Sequence, residues 1–378
     1  IPVSGHVDAT IDAGGRLLSG DADLAGGDGR LVVPDYYPDG LAVHALGLQM
    51  HMPAGARRVV VDRMAIDFGD AKAEASGRAG LDGPAMPIDI RAALTNVPLA
   101  RFDALWPHGV AVGGRDWVTR HMHAGTVKSG TVHIVATVRP GDADPLADFK
   151  VDGAFDYQGL DADYFPPLLP VTDIAGHATF DTGKMNLTID SGALGDIAVS
   201  QGAVAITGLD QDDRAIAINL SIDGPLKTAL SVLDTQPLGL VRKLDLDPAA
   251  AGGHVAARLS FAFPLIKSLL SDQIQFAGKG KLTAVAVKSA VGPRDVTDGA
   301  LDIAIDNKGM TLSGTAALAG VPMTLDWREA FLASERPRTR IGFSARVDDA
   351  GWRQLALDPS GVATLHGKVG VSGQVTID

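Results

Sequence analysis

Arg214-Ala-Ile-Ala-Ile-Asn-Leu-Ser-Ile222 is the stretch on which the fold turns. Its large apolar side chains, Ile216, Ile218, Leu220 and Ile222, occupy every second position, with Ala217, Asn219 and Ser221 between them. A period of two sends successive side chains to opposite faces of a strand, so the run predicts a β-strand with one apolar and one more polar face. The phase recurs along the chain. Met185, Leu187 and Ile189 alternate with Asn186, Thr188 and Asp190, and Leu301, Ile303 and Ile305 alternate with Asp302, Ala304 and Asp306. Val132, Ile134, Ala136 and Val138 do the same, as do Met323, Leu325 and Trp327, and Ile341, Phe343, Ala345 and Val347.

Turn signals separate these runs: Asp12-Ala-Gly-Gly15, Gly26-Gly-Asp-Gly29, Asp152-Gly153 and Asn307-Lys-Gly309. Alternating runs joined by such turns predict a meander of antiparallel hairpins. With ~12 residues per strand and turn, the chain would hold on the order of 28 strands, more than a closed sandwich requires. Stacked at ~4.8 Å, they would extend on the order of 130 Å. Composition points the same way: 46% hydrophobic residues but only 5% aromatic, with 45 Gly in 378 residues, favours many short strands over a few large helical cores. The fold expected is all-β, an elongated, curled antiparallel sheet forming an open groove, with a few short helices.

Helical patterns are sparse. Pro225-Leu-Lys-Thr-Ala-Leu-Ser-Val-Leu233 has proline at its start and apolar residues at helical spacing, and a second helix is expected through Leu238 to Leu244. Arg115 to Met122 and Asp348 to Leu357 are shorter candidates. Leu244-Asp-Leu-Asp-Pro248 returns as Leu355-Ala-Leu-Asp-Pro359, each after a helical stretch and before a new alternating run. This suggests a module of strands capped by a helix and then restarted. The expected boundaries are strands over 1–100, a module over 101–245 with helices near 115–122 and 225–244, a second over 246–358 ending in a helix, and a further start over 359–378. The chain begins at Ile1 without Met and ends in a strand-like run, Lys368 to Ile377, and is expected to be a piece of a longer protein.

Four stretches resemble the AsmA-like superfamily of bacterial envelope proteins, and within it the YhdP-type, TamB-related branch. They are Phe102-Asp-Ala-Leu-Trp-Pro107 with Arg115-Asp-Trp-Val118; Gly125-Thr-Val-Lys-Ser-Gly130; Ile222-Asp-Gly-Pro-Leu226 with Gln236-Pro-Leu238; and Leu246-Asp-Pro248 with Phe263-Pro-Leu265. Their order and spacing over roughly 100–265 carry the resemblance; no single one is specific. The resemblance implies a β-groove in the periplasm of Gram-negative cells, anchored at the inner membrane by a segment before Ile1. It also implies a role in carrying phospholipid toward the outer membrane. It implies no catalytic residue.

Physical chemistry makes that role reasonable. A sheet with one apolar face must stack, close, or curl into a trough. Moving a ~16-carbon tail into water costs on the order of 13 kcal/mol at about 0.8 kcal/mol per methylene, and a trough removes most of that cost. The expected lipid-lining face carries Ile216, Ile218, Leu220 and Ile222, Met185, Leu187 and Ile189, Leu301, Ile303 and Ile305, with Val132 and Ile134. Stacked β-sandwiches of a structural or adhesive surface protein fit the same alternation, and a carbohydrate-active β-helix is a remoter alternative. The net charge of −12 and the lack of a basic run argue against a nucleic-acid partner and against adhesion to an anionic bilayer surface. No segment reaches the roughly 18 continuous apolar residues of a membrane-spanning helix.

Catalytic and metal signals are weak. The chain has no Cys, which excludes disulfides and thiolate metal sites. His121-Met-His123, with His108 and His133, would share a face if they lay on a strand, but no carboxylate spacing completes a metal set, and a surface cluster is the plainer account. Asp142, Asp144 and Asp148, and Asp210, Asp212 and Asp213, lack the glycine and terminal Glu of a calcium loop and read as solvated turns. Gly26-Gly-Asp-Gly29 occurs once and reads as a hairpin turn. Trp106, Trp117, Trp327 and Trp352 read as caps of hydrophobic ends, and Tyr164-Phe-Pro-Pro-Leu-Leu-Pro170 as a connector. No nucleophile elbow, phosphate loop or dinucleotide fingerprint is present, so neither an enzyme nor a cofactor is expected.

Overall fold

The computed structural model describes residues 1–81, 83–140, 148–164, 167–235, 247–266, 268–332, 334–355 and 367–377. The first strands are β1 (Val3–Ile11), β2 (Leu17–Gly26), β3 (Gly29–Val33) and β4 (Tyr37–Val43). Next come β5 (Ala45–Met52), β6 (Arg58–Asp67), β7 (Lys72–Gly80) and β8 (Met86–Pro98), followed by α1 (Phe102–Leu105) and α2 (Val112–His121). Six strands follow: β9 (Met122–Val138), β10 (Lys150–Ala162), β11 (Val171–Asp181), β12 (Lys184–Leu194), β13 (Ile197–Thr207) and β14 (Ala215–Pro225). After α3 (Leu226–Asp234) come β15 (Ala251–Pro264), β16 (Gln275–Val291), β17 (Arg294–Asp306) and β18 (Gly309–Leu318). The chain continues through β19 (Val321–Ala330), β20 (Thr339–Val347), α4 (Asp349–Gln354) and β21 (Val369–Ile377).

Nineteen of these strands belong to one open antiparallel sheet, while β3 and β4 form a separate pair. With that pair set aside, the element order repeats three times as six strands of the large sheet followed by helix. Against an expectation of about 28 strands, the described residues hold 21, and two of them, β9 and β16, run for 17 residues each.

Contacts divide the chain into two compact units. The first comprises Ile1–Asp163, Thr172–Thr188 and Ile206–Asp212. Its described ladder runs β1-β2-β5-β6-β7-β8-β9-β10, every pair antiparallel. The β3–β4 hairpin leaves the sheet where β2 ends, and α1 and α2 leave where β8 ends, so both lie beyond the same edge. They meet there: Leu41 and Val43 pack with Ile66, Phe68, Ala71 and Val97, and Phe102 and Leu105 of α1 join them. The Tyr37 hydroxyl donates to the Leu105 carbonyl at 2.8 Å, and burial pushes its phenol above the usual value. Helix α2 begins at Val112, earlier than the expected Arg115, and Arg115 secures it to Asp103 at 2.6 Å.

The second unit comprises Tyr164–Val171, Ile189–Ala205 and Asp213–Asp378. Its described ladder joins β14 to β21 in chain order. Helix α3 lies across one end of the apolar face, where Leu226 packs with Val255, Leu282, Val285, Leu301 and Leu312. Helix α4 is capped by Asp348, whose side chain accepts from the Gly351 amide at 2.9 Å, and beyond its end Leu355 packs on Val321, Ala345 and Val347. The registers of β15 to β18 shift at Gly252/His254, Leu282/Val285 and Thr297/Ala300, in the region where α3 docks. Such bulges bend a strand and increase its twist. The expected helix over Leu238 to Leu244, the end of the one expected through Leu357, and most of the two Leu-x-Leu-Asp-Pro repeats lie outside the described residues.

Two turn expectations need correction. Asp152-Gly153 lies inside β10, where the Phe180 ring covers Gly153: a Cβ there would stand 2.5 Å from the ring's Cζ. The glycine makes room for a neighbouring aromatic side chain. Gly26-Gly-Asp-Gly29 does not close a hairpin within the large sheet, because β2 pairs with β1 and β5 and the chain instead enters β3.

Gly125 opens the strand-restarting stretch Gly125 to Gly130 and is held at φ +112°, where a Cβ would lie 2.7 Å from the Gly159 carbonyl oxygen. Gly125→Ala combines strain with a backbone clash and is expected to cost about 1–3 kcal/mol, read as a lowered urea midpoint at unchanged slope.

Candidate functional site

Cross-strand register turns the alternation into continuous rows. In the first unit, Gly5, Leu24, Leu48, Met64, Ala75, Ala92, Val132 and Gly153 oppose one another from β1 to β10. The next row is Val7, Ala22, Met50, Val61, Gly77, Ile90, Ile134 and Val151. Neither row contains a polar side chain. Small residues and Met alternate with branched ones, giving a soft lining with no fixed hydrogen-bonding demand.

In the second unit, Ile222, Ala257, Gly280, Ile303, Leu312, Trp327, Ile341 and Val375 form a row over all eight strands from β14 to β21. Beside it runs Leu220, Leu259, Gly278, Ile305, Met310, Glu329, Thr339 and Ile377. Ile218 and Ile216 face Phe261 and Phe263 at the end of β14 remote from α3. The rows exist because a strict period of two keeps each strand in phase with its neighbour, and a slip of one residue would turn apolar side chains to the other side.

The opposite face carries the charges. Arg63 meets Glu74 at 2.7 Å, Arg78 meets Asp89 at 2.9 Å, and Lys281 meets Asp302 at 2.7 Å, each across a strand pair. His133 reaches Asp89 at 2.9 Å and Asp152 at 3.3 Å. The hydrogen bond from His133 is the largest influence holding the Asp89 carboxyl below its usual range, with Arg78 and Arg91 adding to it. Exposed pairs of this type contribute about 0–1 kcal/mol each, so their main effect is to keep that face in water.

Ile216, Ile218, Leu220, Ile222, Met185, Leu187, Ile189, Ile303, Ile305, Val132 and Ile134 are all half-buried. Leu301 differs: it is only 6% exposed and lies in the cluster beneath α3. Register joins the residues of β14 with those of β17, and Val132 and Ile134 join the rows of the first unit. Met185, Leu187 and Ile189 share one face of β12, between exposed Lys184, Asn186 and Asp190. Sequence reasoning did not name Met50, Met64, Leu259, Phe261, Phe276 or Glu329 as part of the face. The phase of each strand could have placed them there, since Glu329 stands two residues from Trp327.

His121 and His123 do not share a strand face, because His121 is the last residue of α2 and β9 begins at Met122. The two are tied to one residue instead: His121 Nδ1 lies 3.0 Å from the Asp163 carbonyl oxygen and His123 Nε2 lies 2.8 Å from the Asp163 carboxylate. No group of His, Cys, Asp and Glu suited to a metal occurs among the described residues. Asp142 and Asp144 lie outside them, and Asp148 pairs with Arg139. Trp352 packs at the α4 cluster, and Trp327 lies within the apolar rows and packs against the cluster beneath α3.

Comparison with known proteins gives one finding. The family profile described as YhdP protein matches residues 2–378. No curated protein and no solved structure matches the chain.

Proposed function

The chain belongs to the YhdP family, and from that premise we propose that its apolar face binds phospholipid acyl chains and conducts lipid across the periplasm between the inner and outer membranes. The observation that carries this reading is the state of the rows. Most of their branched side chains are half-buried, Val7, Ile90, Val375 and Ile377 are exposed and Leu312 is buried, and the only other sheet among the described residues is the β3–β4 pair. In a β-sandwich a second sheet would pack ~10 Å away and bury them.

Half-buried apolar rows hold tails by contact area alone, at about 25 cal/mol per Å² removed from water, and release them as readily to the next row. The process needs no bond-making step, and the eleven half-buried residues expected as lining act only through shape and hydrophobicity, Leu301 lying beneath α3. The polar face stays hydrated. None of the described helices is long and apolar enough to cross a membrane, and attachment to the inner membrane is assigned to an anchor outside this chain. The modules expected over 101–245 and 246–358 each take in one run of six strands and a helix in this reading. We take them as successive segments of one path.

Native mass spectrometry of purified protein, followed by lipid extraction, tests the proposal. Phospholipid is expected to remain bound and to exchange with added lipid. Protein that carries none and takes up none would rule the reading out.

A further inference from the structure

Glu329 is a carboxylate set within an apolar row. It is 6% exposed, with Met310 and Thr339 as its cross-strand neighbours and Trp327 two residues away on the same face. One oxygen is well served: Oε2 accepts from the Thr339 hydroxyl at 2.7 Å and from the Trp327 indole at 3.3 Å. The other, Oε1, has no donor among the described residues, although a carboxylate offers about four acceptor sites. The nearby cations are directed elsewhere. Arg328 and Arg340 oppose each other on the polar face, and Arg328 pairs with Glu335 at 3.2 Å. Oε1 is not fully buried, so water or a ligand's donor can reach it.

Position adds a second constraint. Glu329 is the second-last residue of β19, whereas Val321, the first, packs in the α4 cluster. Eight residues of strand separate them, about 26 Å at ~3.3 Å per residue. Along β19 the apolar face thus meets helix at one end and carries Glu329 at the other, and an amphiphile laid along the strand would find both of its halves matched.

We propose that Glu329, with Thr339 and Trp327, receives the primary ammonium headgroup of a phospholipid whose tails lie along the strands, across the apolar rows, toward α4. The proposal rests on the reading of that face as lipid-binding and adds headgroup selectivity to it. A primary ammonium supplies both the positive charge and the N–H donors that Oε1 lacks. A quaternary ammonium has no N–H, and an anionic headgroup would be repelled.

The test loads the protein from vesicles of equimolar phosphatidylethanolamine and phosphatidylglycerol and measures both lipids after re-isolation. Wild type is expected to be enriched about tenfold in phosphatidylethanolamine, the scale of one charge-assisted hydrogen bond. Glu329→Gln is expected to bring the ratio near one. Glu329→Met, whose side chain suits the row, should behave alike and serves if the amide disturbs packing. An unchanged ratio in both variants, or no enrichment in wild type, overturns the proposal while leaving lipid binding intact. Absence of any lipid in wild type overturns the lipid reading itself, and this proposal with it.

Discussion

Replacing Ile218 and Leu220 together by Asp abolishes cross-linking of an acyl-chain photoprobe to the second unit and leaves the protein folded. Both residues are half-buried on β14, facing Phe261 and Leu259 across the ladder. A carboxylate there keeps part of its hydration, so the cost to folding is about 1–3 kcal/mol in all, a shift of a few degrees in Tm for a chain of this size. A tail would instead have to contact two charges, and probe labelling should fall at least tenfold. The measurement pairs labelling with a thermal melt. In a closed sandwich the same substitutions would bury two unpaired charges, and loss of fold would accompany loss of labelling.

The contrast depends on exposure, which alternation alone does not report. The run from Arg214 to Ile222 predicts which side chains share a face, because the period of two is a property of the backbone. Whether that face meets a second sheet, a helix or an open trough is decided by segments far away in the chain. Leu301 and Ile303 illustrate this: they are consecutive on one face and identical in pattern, yet Leu301 is covered by Leu226 of α3 and Ile303 is only half-buried. Nothing within β17 distinguishes them.

Turn chemistry was legible where it ends a strand and misleading where it does not. Asn307-Lys-Gly309 does join β17 to β18, with the Asp306 carboxylate accepting from the Lys308 amide at 2.7 Å and the Gly309 amide at 3.1 Å. Asp152-Gly153 has the same composition and lies within a strand, since its glycine answers the bulk of Phe180 from another strand. Local composition cannot separate a glycine needed for a turn from one needed for space. His121 and His123 fail for a related reason. Their spacing acquires meaning only once the helix-to-strand boundary between them is known. Glu329 was readable in principle, as an acid in phase with Trp327, but its burial depends on β18 and β20.

Leu301→Ala is expected to lower stability by about 2–5 kcal/mol, because it removes a buried side chain from beneath α3 and leaves a cavity that neighbouring strands fill only in part. Ile303→Ala, one position along the same face, should cost about half as much, since part of its surface already meets water. Urea unfolding of both variants measures the difference, and labelling by the acyl probe supplies the second axis. Leu301→Ala should melt lower while still accepting the probe under native conditions, whereas Ile303→Ala should keep most of its stability and bind the probe less well. Equal stability losses with no change in labelling would make both residues ordinary core. The same result would leave the rows of β14 to β21 without the division, structural beneath the helix and open beyond it, on which a path for lipid tails depends.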